Sequence, residues 1–358
     1  MKVLHLPTTV GGHSWGLSLA ERDLGISSHV LSRSESWIGY DSDISLNLQN
    51  KNKIIQFLEL FKAFLKYRKS YDIYHFNFGS SLIDYFNFGI NLWDLPYYDG
   101  KKIMTYNGCD ARQSNYNFYK DEMSLTTKNF FCKHSHPNIG ICHSKRRDQI
   151  RRNRIKKVSK NVDHIFSLNP DLMNFLPREK TTFLPYSIDG RNKIKPVIKT
   201  KTKKLKIIHS PTNRDAKGSN FIINSLEKLK EKYKSVEIVV VENTPHIKAL
   251  KIYEEADIVV DQVLIGWYGG FGVEVMKMGK PLAVYIRDED LKFIPKQMSK
   301  DLKETIININ PFNIEKVLSE YIESPVLLKN KSKASVEYAN NWHNPNKIAK
   351  ITKSIYQK

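Results

Sequence analysis

The sequence has 358 residues, of which 57 are Lys or Arg and 37 are Asp or Glu, and its formal net charge at pH 7 is +20. A chain of this length is too long for one ordinary hydrophobic core, and its 41% hydrophobic content excludes global disorder. No apolar run approaches the roughly 20 residues that cross a bilayer. Three cysteines fit a reducing compartment better than a disulfide framework. The positive charge predicts an anionic partner, which is nucleic acid, anionic lipid or a phosphorylated substrate.

The chain opens with a strand and a glycine turn. Lys2–Leu6 has the pattern of a strand, Pro7–Gly12 that of a turn, and Ser14–Leu24 that of a helix. This is the first βα unit of a doubly wound domain, in which ligands bind beyond the carboxyl ends of the strands. Gly11 and Gly12 would let the backbone approach a ligand closely, although two glycines after a strand also occur in ordinary turns. A strand at this place also argues against a signal peptide.

Residues Asn52–Tyr67 are predicted to form an amphipathic helix. Apolar side chains fall at helical spacing on one face, and the lysines lie off that face. The face consists of Ile54, Phe57, Leu58, Phe61 and Leu65. We expect it to pack on the core, and the alternative is an interfacial helix that docks on anionic lipid.

Possible metal ligands are concentrated in one short stretch. It contains Cys132, His134, His136, Cys142 and His143. Structural zinc needs four such ligands in tetrahedral array, and this spacing matches no closed-site pattern. We therefore predict no metal, and we interpret the stretch as a cysteine-bearing loop near Cys109.

The most basic run of the chain, residues 144–161, has a thin apolar stripe and predicts a helix with one buried edge. A nucleic-acid site would have aromatic residues interleaved for base stacking, and this run has none. The charge suits an anionic membrane surface, and a solvated helix face is the alternative. We predict no nucleic-acid partner.

A linker is predicted at residues 190–204, which are basic, lack periodicity and contain Pro196. The first domain would then cover residues 1–189 and the second residues 205–340. Residues 341–358 are predicted to form a C-terminal helix.

Two cations precede the first helix of the second domain. The strand Lys206–His209 leads into a polar loop with Arg214 and Lys217, and the next strand ends at Glu242. Cations at this place could hold a phosphorylated ligand, and exposed loop cations are the alternative.

Farther along the second domain, a glycine loop joins a buried strand to a helix. The strand is Ile258–Val260, the helix carries Glu274, and Gly279 ends the helix. The loop contains Gly266, Gly269, Gly270 and Gly272. Strand, glycine loop and helix N-terminus together predict an anion site, because backbone N–H groups and the helix dipole both favour a phosphate. The alternative is a glycine turn with a glutamate in the first helical turn that stabilises the dipole.

This segment resembles the donor-site signature of retaining glycosyltransferases of the two-Rossmann-domain (GT-B) type, family 4. The family pattern is Glu, seven residues and Glu, with Phe-Gly early in the interval and Gly-x-Pro after the helix. Glu274 matches the second Glu, Tyr268-Gly269 the Phe-Gly and Gly279-Lys280-Pro281 the ending. Gly266 holds the place of the first Glu, which usually contacts the donor sugar.

Other loops resemble the same family. Gly11-Gly12 matches its opening loop, and Arg214 and Lys217 match by type the two cations that grip the donor diphosphate. The strand ending at Tyr106 leads into a segment similar to His-Gly-x-Asp-x-Arg. There, Asp110 and Arg112 match the family, and Asn107 stands in place of the histidine.

The resemblance implies an α/β fold with two Rossmann-like doubly wound domains facing a central cleft, and a terminal helix that crosses back to the first domain. It implies a nucleotide-diphosphate sugar as donor, retention of configuration, and no cofactor or bound metal. Arg, Lys and backbone amides meet the charge of the departing diphosphate.

By this resemblance, Arg214 and Lys217 hold the diphosphate and Glu274 the ribose hydroxyls, as the catalytic set. The donor site would comprise Gly11, Gly12, Glu242, Gly266, Tyr268, Gly269, Gly270, Phe271 and Gly272. Asn107, Asp110 and Arg112 would form the opposing cleft wall, and a salt-bridged turn is the alternative for the last two.

The acceptor is expected to be a glycan or a lipid-linked molecule, in bacterial surface polysaccharide synthesis. The protein is expected in the cytoplasm, at the inner face of the cell membrane through an anionic lipid surface. The alternative is a catalytically silent nucleotide-sugar-binding partner of a glycan assembly complex, which Gly266 and Asn107 support. A nucleic-acid binder, argued from charge alone, ranks last.

Overall fold

The computed structural model describes residues 1–34, 39–85, 90–113, 135–136, 140–141, 144–188, 194–196 and 204–358. The side chains of Cys132, His134, His136, Cys142 and His143 lie outside the described residues. So does most of the predicted linker at residues 190–204, and these predictions are not addressed by the structure.

The first half of the chain alternates strands and helices. In chain order, its elements are β1 (Lys2–Leu6), α1 (His13–Asp23), β2 (Ser27–Ser32), β3 (Ile44–Ser45), α2 (Lys53–Tyr67), β4 (Ile73–Asn77), β5 (Lys101–Tyr106), β6 (Ser135–His136), β7 (Gly140–Ile141), α3 (Lys145–Asn161), β8 (His164–Ser167) and β9 (Thr181–Phe183). The strands form one parallel sheet in the order β3-β2-β1-β4-β5-β8-β9, apart from the antiparallel pair β6-β7.

The second half repeats this architecture. Its elements are β10 (Leu205–His209), α4 (Arg214–Lys217), α5 (Ser219–Lys232), β11 (Val236–Val240), α6 (His246–Tyr253), β12 (Ile258–Val260), α7 (Gly270–Lys277), β13 (Leu282–Val284), α8 (Lys296–Thr305), β14 (Ile307–Asn308), α9 (Ile314–Glu323), α10 (Pro325–Trp342) and α11 (Pro345–Tyr356). A second parallel sheet has the order β11-β10-β12-β13-β14.

Helices cover the sheets, which explains the continuous apolar runs of the central strands. Ile258, Val259 and Val260 of β12, for example, are all fully buried. The predicted α/β class with two parallel, doubly wound sheets is confirmed. Within the described residues, no helix combines the length and the apolar composition that crossing a bilayer requires.

The last helix, α11, packs against α1 of the first half. The buried carboxylate of Glu21 on α1 accepts hydrogen bonds from Thr352 Oγ1 at 3.1 Å and from the Tyr356 hydroxyl at 2.9 Å, both on α11. It also accepts from His5 Nε2 at 2.8 Å and from Ser28 Oγ at 2.7 Å. These bonds connect α11 to α1, β1 and β2, and a buried polar network of this kind specifies one arrangement when its members are satisfied.

Two buried histidines lie near the start of α1 and the end of α10; His343 bonds across the two halves of the molecule, and His13 bonds within the first half. His13 Nδ1 accepts a hydrogen bond from the backbone N–H of Ser187 at 2.9 Å. His343 Nδ1 donates to the carbonyl of Tyr186 at 3.0 Å, and its Nε2 accepts from the Tyr268 hydroxyl at 2.8 Å. Burial lowers the pKa of His13 to about 3 and that of His343 to about 3, so both rings are neutral at pH 7.

The apolar face of α2 packs on the core only in part: Phe61 packs against the buried cluster of the first half, and Ile54, Phe57, Leu58 and Leu65 are exposed. Every residue of α2 is described, and only Leu60, Ala63 and Phe64 are buried. Ile54 is 74% exposed, Leu58 50% and Leu65 53%. The apolar sector of the helix is wider than the strip that meets the sheet, so much of it faces solvent.

Removing the hydroxyl of Tyr356 should destabilise the protein by about 1–3 kcal/mol, because Glu21 loses a buried donor. His75, whose Nδ1 lies 2.6 Å from the same hydroxyl, also loses its partner. The measurement is urea denaturation of Tyr356→Phe. Ser354→Ala, an exposed hydroxyl on the same helix, is the matched control and should change stability by less than about 0.5 kcal/mol. Equal stability of the two variants would contradict a structural role for the network.

Stability should fall as pH falls from about 6.5 to 5, because unfolded histidines take up protons there while the buried ones do not. The folded pKa of His13 and of His343 lies below the unfolded value, so each histidine contributes stability that is fully present above about pH 6.5. In this window each of the two histidines should lower the free energy of unfolding by up to about 1.4 kcal/mol for every unit by which the pH falls. Urea denaturation at several pH values, with proton uptake measured on unfolding, checks this. A pH-independent unfolding free energy in this range would refute it.

Candidate active site

A pocket of about 130 Å³ lies in the second half of the chain, beyond the carboxyl ends of β10, β11 and β12. This is where ligands bind in open parallel sheets. The pocket is lined by Tyr40, Ser210, Pro211, Thr212, Lys217, Val241, Glu242, Asn243, Thr244, His246, Ala249, Tyr253, Phe271 and Glu274. Tyr40 comes from the first half of the chain, so the pocket lies between the two sheets.

Lys217 reaches the pocket wall from the short helix α4. Asn213 caps this helix by accepting a hydrogen bond from the N–H of Ala216 at 2.8 Å. Gly218 then turns the chain with a φ of +71°, and a Cβ there would lie 2.7 Å from Val263. The Lys217 ammonium pairs with the buried carboxylate of Asp261, which directly follows β12. Asp261 therefore fixes where the cation sits.

Arg214 and Glu242 form a two-point ion pair at the pocket's edge. Arg214 Nε lies 2.8 Å from Oε1, and Nη2 lies 2.6 Å from Oε2. The hydrogen bond raises the pKa of Arg214 and lowers that of Glu242. Arg214 is 53% exposed in its side chain. The pair brings together two predicted site residues, but it presents Arg214 already bound to a carboxylate.

Glu274 lies deeper in the pocket. Helix α7 begins at Gly270, so Glu274 is beyond the first turn, and the expectation of a glutamate in that turn was wrong. Its Oε1 lies 2.8 Å from Nε2 of His246, and the carboxylate is 3% exposed. The ring of Tyr40 packs on His246 with 5.2 Å between centroids. A carboxylate and an imidazole thus point into the same space from two elements.

The two glycine loops meet across the junction of the sheets. A Cβ on Gly270, at the start of α7, would lie 3.1 Å from the carbonyl oxygen of Gly11. A Cβ on Gly12 would lie 2.8 Å from the ring of Tyr40. Gly11 and Gly12 both have φ near +70°, a conformation that favours glycine. The N-terminus of α7 therefore faces the opening loop of the chain in direct contact.

Other predicted donor positions have packing roles in the structure. Tyr268 is fully buried, and its hydroxyl lies 2.7 Å from the hydroxyl of Tyr338 on α10, away from the pocket. A Cβ on Gly272 would lie 2.8 Å from Tyr268 Cβ. Gly266 has a φ of +84°, and a Cβ there would lie 3.0 Å from Arg287. Phe271, in contrast, lines the pocket, and Gly269 is the N-cap of α7.

The predicted cleft wall is a hydrogen-bonded turn. Asp110 accepts from the backbone N–H groups of Asn107 at 2.9 Å and Gly108 at 2.6 Å, and burial raises its pKa. Arg112 is buried and pairs with Asp171, with 2.6 Å between Nε and Oδ2. Arg112 thus forms a salt bridge to a residue outside the turn, and Asp110 is held by backbone hydrogen bonds within it. Asn107 Oδ1 is buried and makes no hydrogen bond within the described part of the chain.

His246 and Tyr40 line the pocket, Asp261 pairs with its Lys217, and all three were missed from the sequence. The sequence position of Asp261 could have identified it, because a carboxylate directly after a buried parallel strand lies at the edge of the sheet where ligands bind. His246 and Tyr40 had none, since their positions depend on how α6 and the first half of the chain approach α7. No group of His, Cys, Asp and Glu side chains suited to a metal ion occurs among the residues that the structure describes.

The basic helix α3 uses several of its cations internally. Arg154 Nη1 lies 2.7 Å from Asp84 Oδ1, Arg151 donates to the carbonyl of Cys109 at 2.9 Å, and Lys157 donates to the carbonyl of Asn91 at 2.6 Å. Part of the positive charge of this run is therefore used in hydrogen bonds and ion pairs that stabilise the first half of the chain.

No family model matches the chain, and no curated protein matches it. Several solved structures are similar to the chain. Sucrose-phosphate synthase from Thermosynechococcus elongatus is similar with a TM-score of 0.62 and 16% identity, over 99% of this chain and 98% of that one. Anabaena HepE in complex with UDP-glucose has a TM-score of 0.60 at 10% identity, over the full length of both chains.

The chain has the GT-B fold. UDP-GlcNAc 2-epimerase from Neisseria meningitidis, bound to UDP-GlcNAc, also shares it, with a TM-score of 0.53, 13% identity and full coverage of both chains. The fold is thus common to proteins with different activities, and at these identities the similarity establishes architecture alone.

Replacing Gly266 by Ala should destabilise the protein by about 1 kcal/mol or more, because its positive φ and the nearby Arg287 both oppose a Cβ. Gly269→Ala is the matched control in the same loop. Its φ is −100° and no atom lies within 4 Å of its Cβ position. Thermal denaturation of both variants is the measurement. A Gly266→Ala variant as stable as Gly269→Ala would show that position 266 tolerates a side chain.

Proposed function

We propose that the protein is a glycosyltransferase that moves a sugar from a nucleotide-diphosphate donor to a glycan or lipid-linked acceptor, with retention of configuration, in surface polysaccharide synthesis. One observation carries the proposal. A cation, Lys217, and the first residues of α7 lie at one pocket to which Tyr40 contributes from the first half of the chain, and the opening glycine loop contacts Tyr40 and the start of α7.

The chemistry of donor cleavage explains why such a site is suitable. A departing nucleoside diphosphate accumulates negative charge, and donors aimed at that charge lower the barrier. Lys217, held by Asp261, supplies a positive charge, and the first N–H groups of α7 supply hydrogen-bond donors. Arg214 would join them by exchanging part of its contact with Glu242 for a phosphate oxygen. This arrangement needs no metal ion.

We assign the nucleoside end of the donor to the side of the pocket that Glu274 and His246 line. Glu274 accepts hydrogen bonds and would hold ribose hydroxyls, and His246 orients its carboxylate. The solved neighbours contain UDP, UDP-glucose and UDP-GlcNAc. Uridine donors are therefore the first candidates to test.

Retention follows from the proposed mechanism. The pocket carboxylates Glu242 and Glu274 are each held by a basic partner, Arg214 and His246 respectively. We assign the attack to the acceptor hydroxyl on the face that the diphosphate leaves, with the diphosphate accepting its proton. The anomeric configuration of the product, measured by NMR, tests this part separately.

Replacing Lys217 by Ala should lower donor hydrolysis or transfer by about 100-fold or more, the scale of losing a charge-stabilising group. The assay measures release of nucleoside diphosphate from a panel of nucleotide sugars, and analyses the sugar product for transfer, hydrolysis and epimerisation. Lys228→Ala, on an exposed side chain far along α5, is the matched control and should leave the rate unchanged. Near-wild-type turnover by the Lys217 variant would remove the proposed role.

The second candidate is a catalytically silent nucleotide-sugar-binding partner. Gly266 and Asn107 favour it, because both stand where the resembling family has side chains that contact the donor. Calorimetry with nucleoside diphosphates separates the two candidates when combined with the product assay. A silent partner gives heat of binding that Lys217→Ala reduces, with no product from any donor in the panel.

A further inference from the structure

The exposed face of α2 is continuous with two exposed aromatic residues on a neighbouring loop. We call this surface the α2 patch. It consists of the exposed side chains of Ile54, Phe57, Leu58, Leu65, Trp93 and Tyr97 together with the half-buried Phe61. On α2 these residues follow the spacing i, i+3, i+4, i+7 and i+11, so they lie on one side of the helix.

Aromatic contacts show that the patch is one surface. The rings of Phe57 and Phe61 stack with 6.2 Å between centroids, and Trp93 lies 6.4 Å from Phe61. Tyr97 lies 5.3 Å from Trp93. Trp93 is 43% exposed and Tyr97 51%. A contiguous apolar surface of this kind on a folded chain marks an interaction site.

Cations border the patch. Lys62 and Lys66 lie on the next face around α2, and Lys53 lies at its start. Lys62 is 73% exposed in its side chain, and Glu59 is the helix's one acidic residue. An apolar face with Trp and Tyr at its edge and lysines beside it is the composition of a helix lying in the interface of an anionic bilayer.

We propose that the α2 patch docks the protein on an anionic lipid bilayer. A second copy of the chain fits this surface less well, because a twofold contact would bring the same lysines against one another. A bilayer with anionic headgroups accepts both features at once: the acyl region takes the apolar side chains and the headgroups take the ammonium groups.

Docking would have a consequence for the acceptor, and this point rests on the proposed function. A cavity of about 350 Å³ lies at the start of α2, lined among others by Arg33, Lys53, Gln56 and Asp84. Tyr85, which also lines this cavity, lies 6.2 Å from Phe57 of the α2 patch between ring centroids, so docking would place the cavity beside the lipid surface. A lipid-linked acceptor could then reach the first half of the chain without leaving the bilayer.

The test is co-sedimentation of the full chain with vesicles of phosphatidylcholine alone or with about 30% phosphatidylglycerol. Wild-type protein should bind the anionic vesicles about 10-fold or more tightly than the neutral ones, and the Trp93 emission should shift to the blue. Leu58→Gln/Leu65→Gln should lose about 10-fold of this affinity. Lys62→Glu/Lys66→Glu should lose as much, and wild-type binding should weaken with added salt.

Matched controls come from the second half of the chain. Phe312 and Val326 are 61% and 68% exposed, and Phe312→Ser/Val326→Gln should bind vesicles like wild type. Lys228→Glu/Lys232→Glu tests whether the loss of any two lysines weakens vesicle binding, and this variant should bind vesicles like wild type. Circular dichroism checks that every variant is folded.

Two outcomes would overturn the proposal. One is equal vesicle binding by wild type and both α2 variants. The other is a concentration-dependent dimer that Leu58→Gln/Leu65→Gln abolishes, with no vesicle binding by wild type. Donor hydrolysis in the absence of vesicles should be unchanged in the α2 variants, so a failure of the proposed function is read separately from a failure of docking.

Discussion

The buried carboxylate of Glu21 ties the end of the chain to its beginning. It receives hydrogen bonds from β1, β2 and α11, and its side chain is fully buried. An ionised group in such a place is stable only when its oxygens are satisfied, and removing partners leaves an uncompensated charge. Because α11 follows α10, and α10 packs on α7 and α8, this one carboxylate constrains how the second sheet sits against the first.

The pocket depends on that constraint. Tyr40 and Gly11 belong to the first half, while His246 and Gly270 belong to the second, and they meet at contact distance. A small rotation between the sheets would separate the glycine loops and remove Tyr40 from His246. His343 reinforces the same junction, and as a neutral ring it does so without adding a buried charge.

Charges in and around the pocket are paired before any ligand arrives. Lys217 is bound to Asp261, Arg214 to Glu242, and Glu274 to His246. An anionic ligand must therefore exchange partners with carboxylates rather than fill an empty cationic site. Its binding free energy is the difference between two sets of contacts, which favours ligands that satisfy the cations and the amides of α7 together.

The sequence by itself determined the elements and the class. Apolar runs such as Ile258–Val260 are buried strands because helices cover both faces of a parallel sheet, and the α1 prediction, Ser14–Leu24, differs from the structure by one residue at each end. It also placed Lys217, Phe271 and Glu274, which local strand-loop-helix chemistry brings to the ligand edge. Tertiary structure alone decided that Tyr268, Asp110 and Arg112 face inward and that α2 turns much of its apolar side outward. Periodicity identifies a face but not what covers it, and side-chain partners such as Asp261, Asp171 and Tyr338 come from distant parts of the chain.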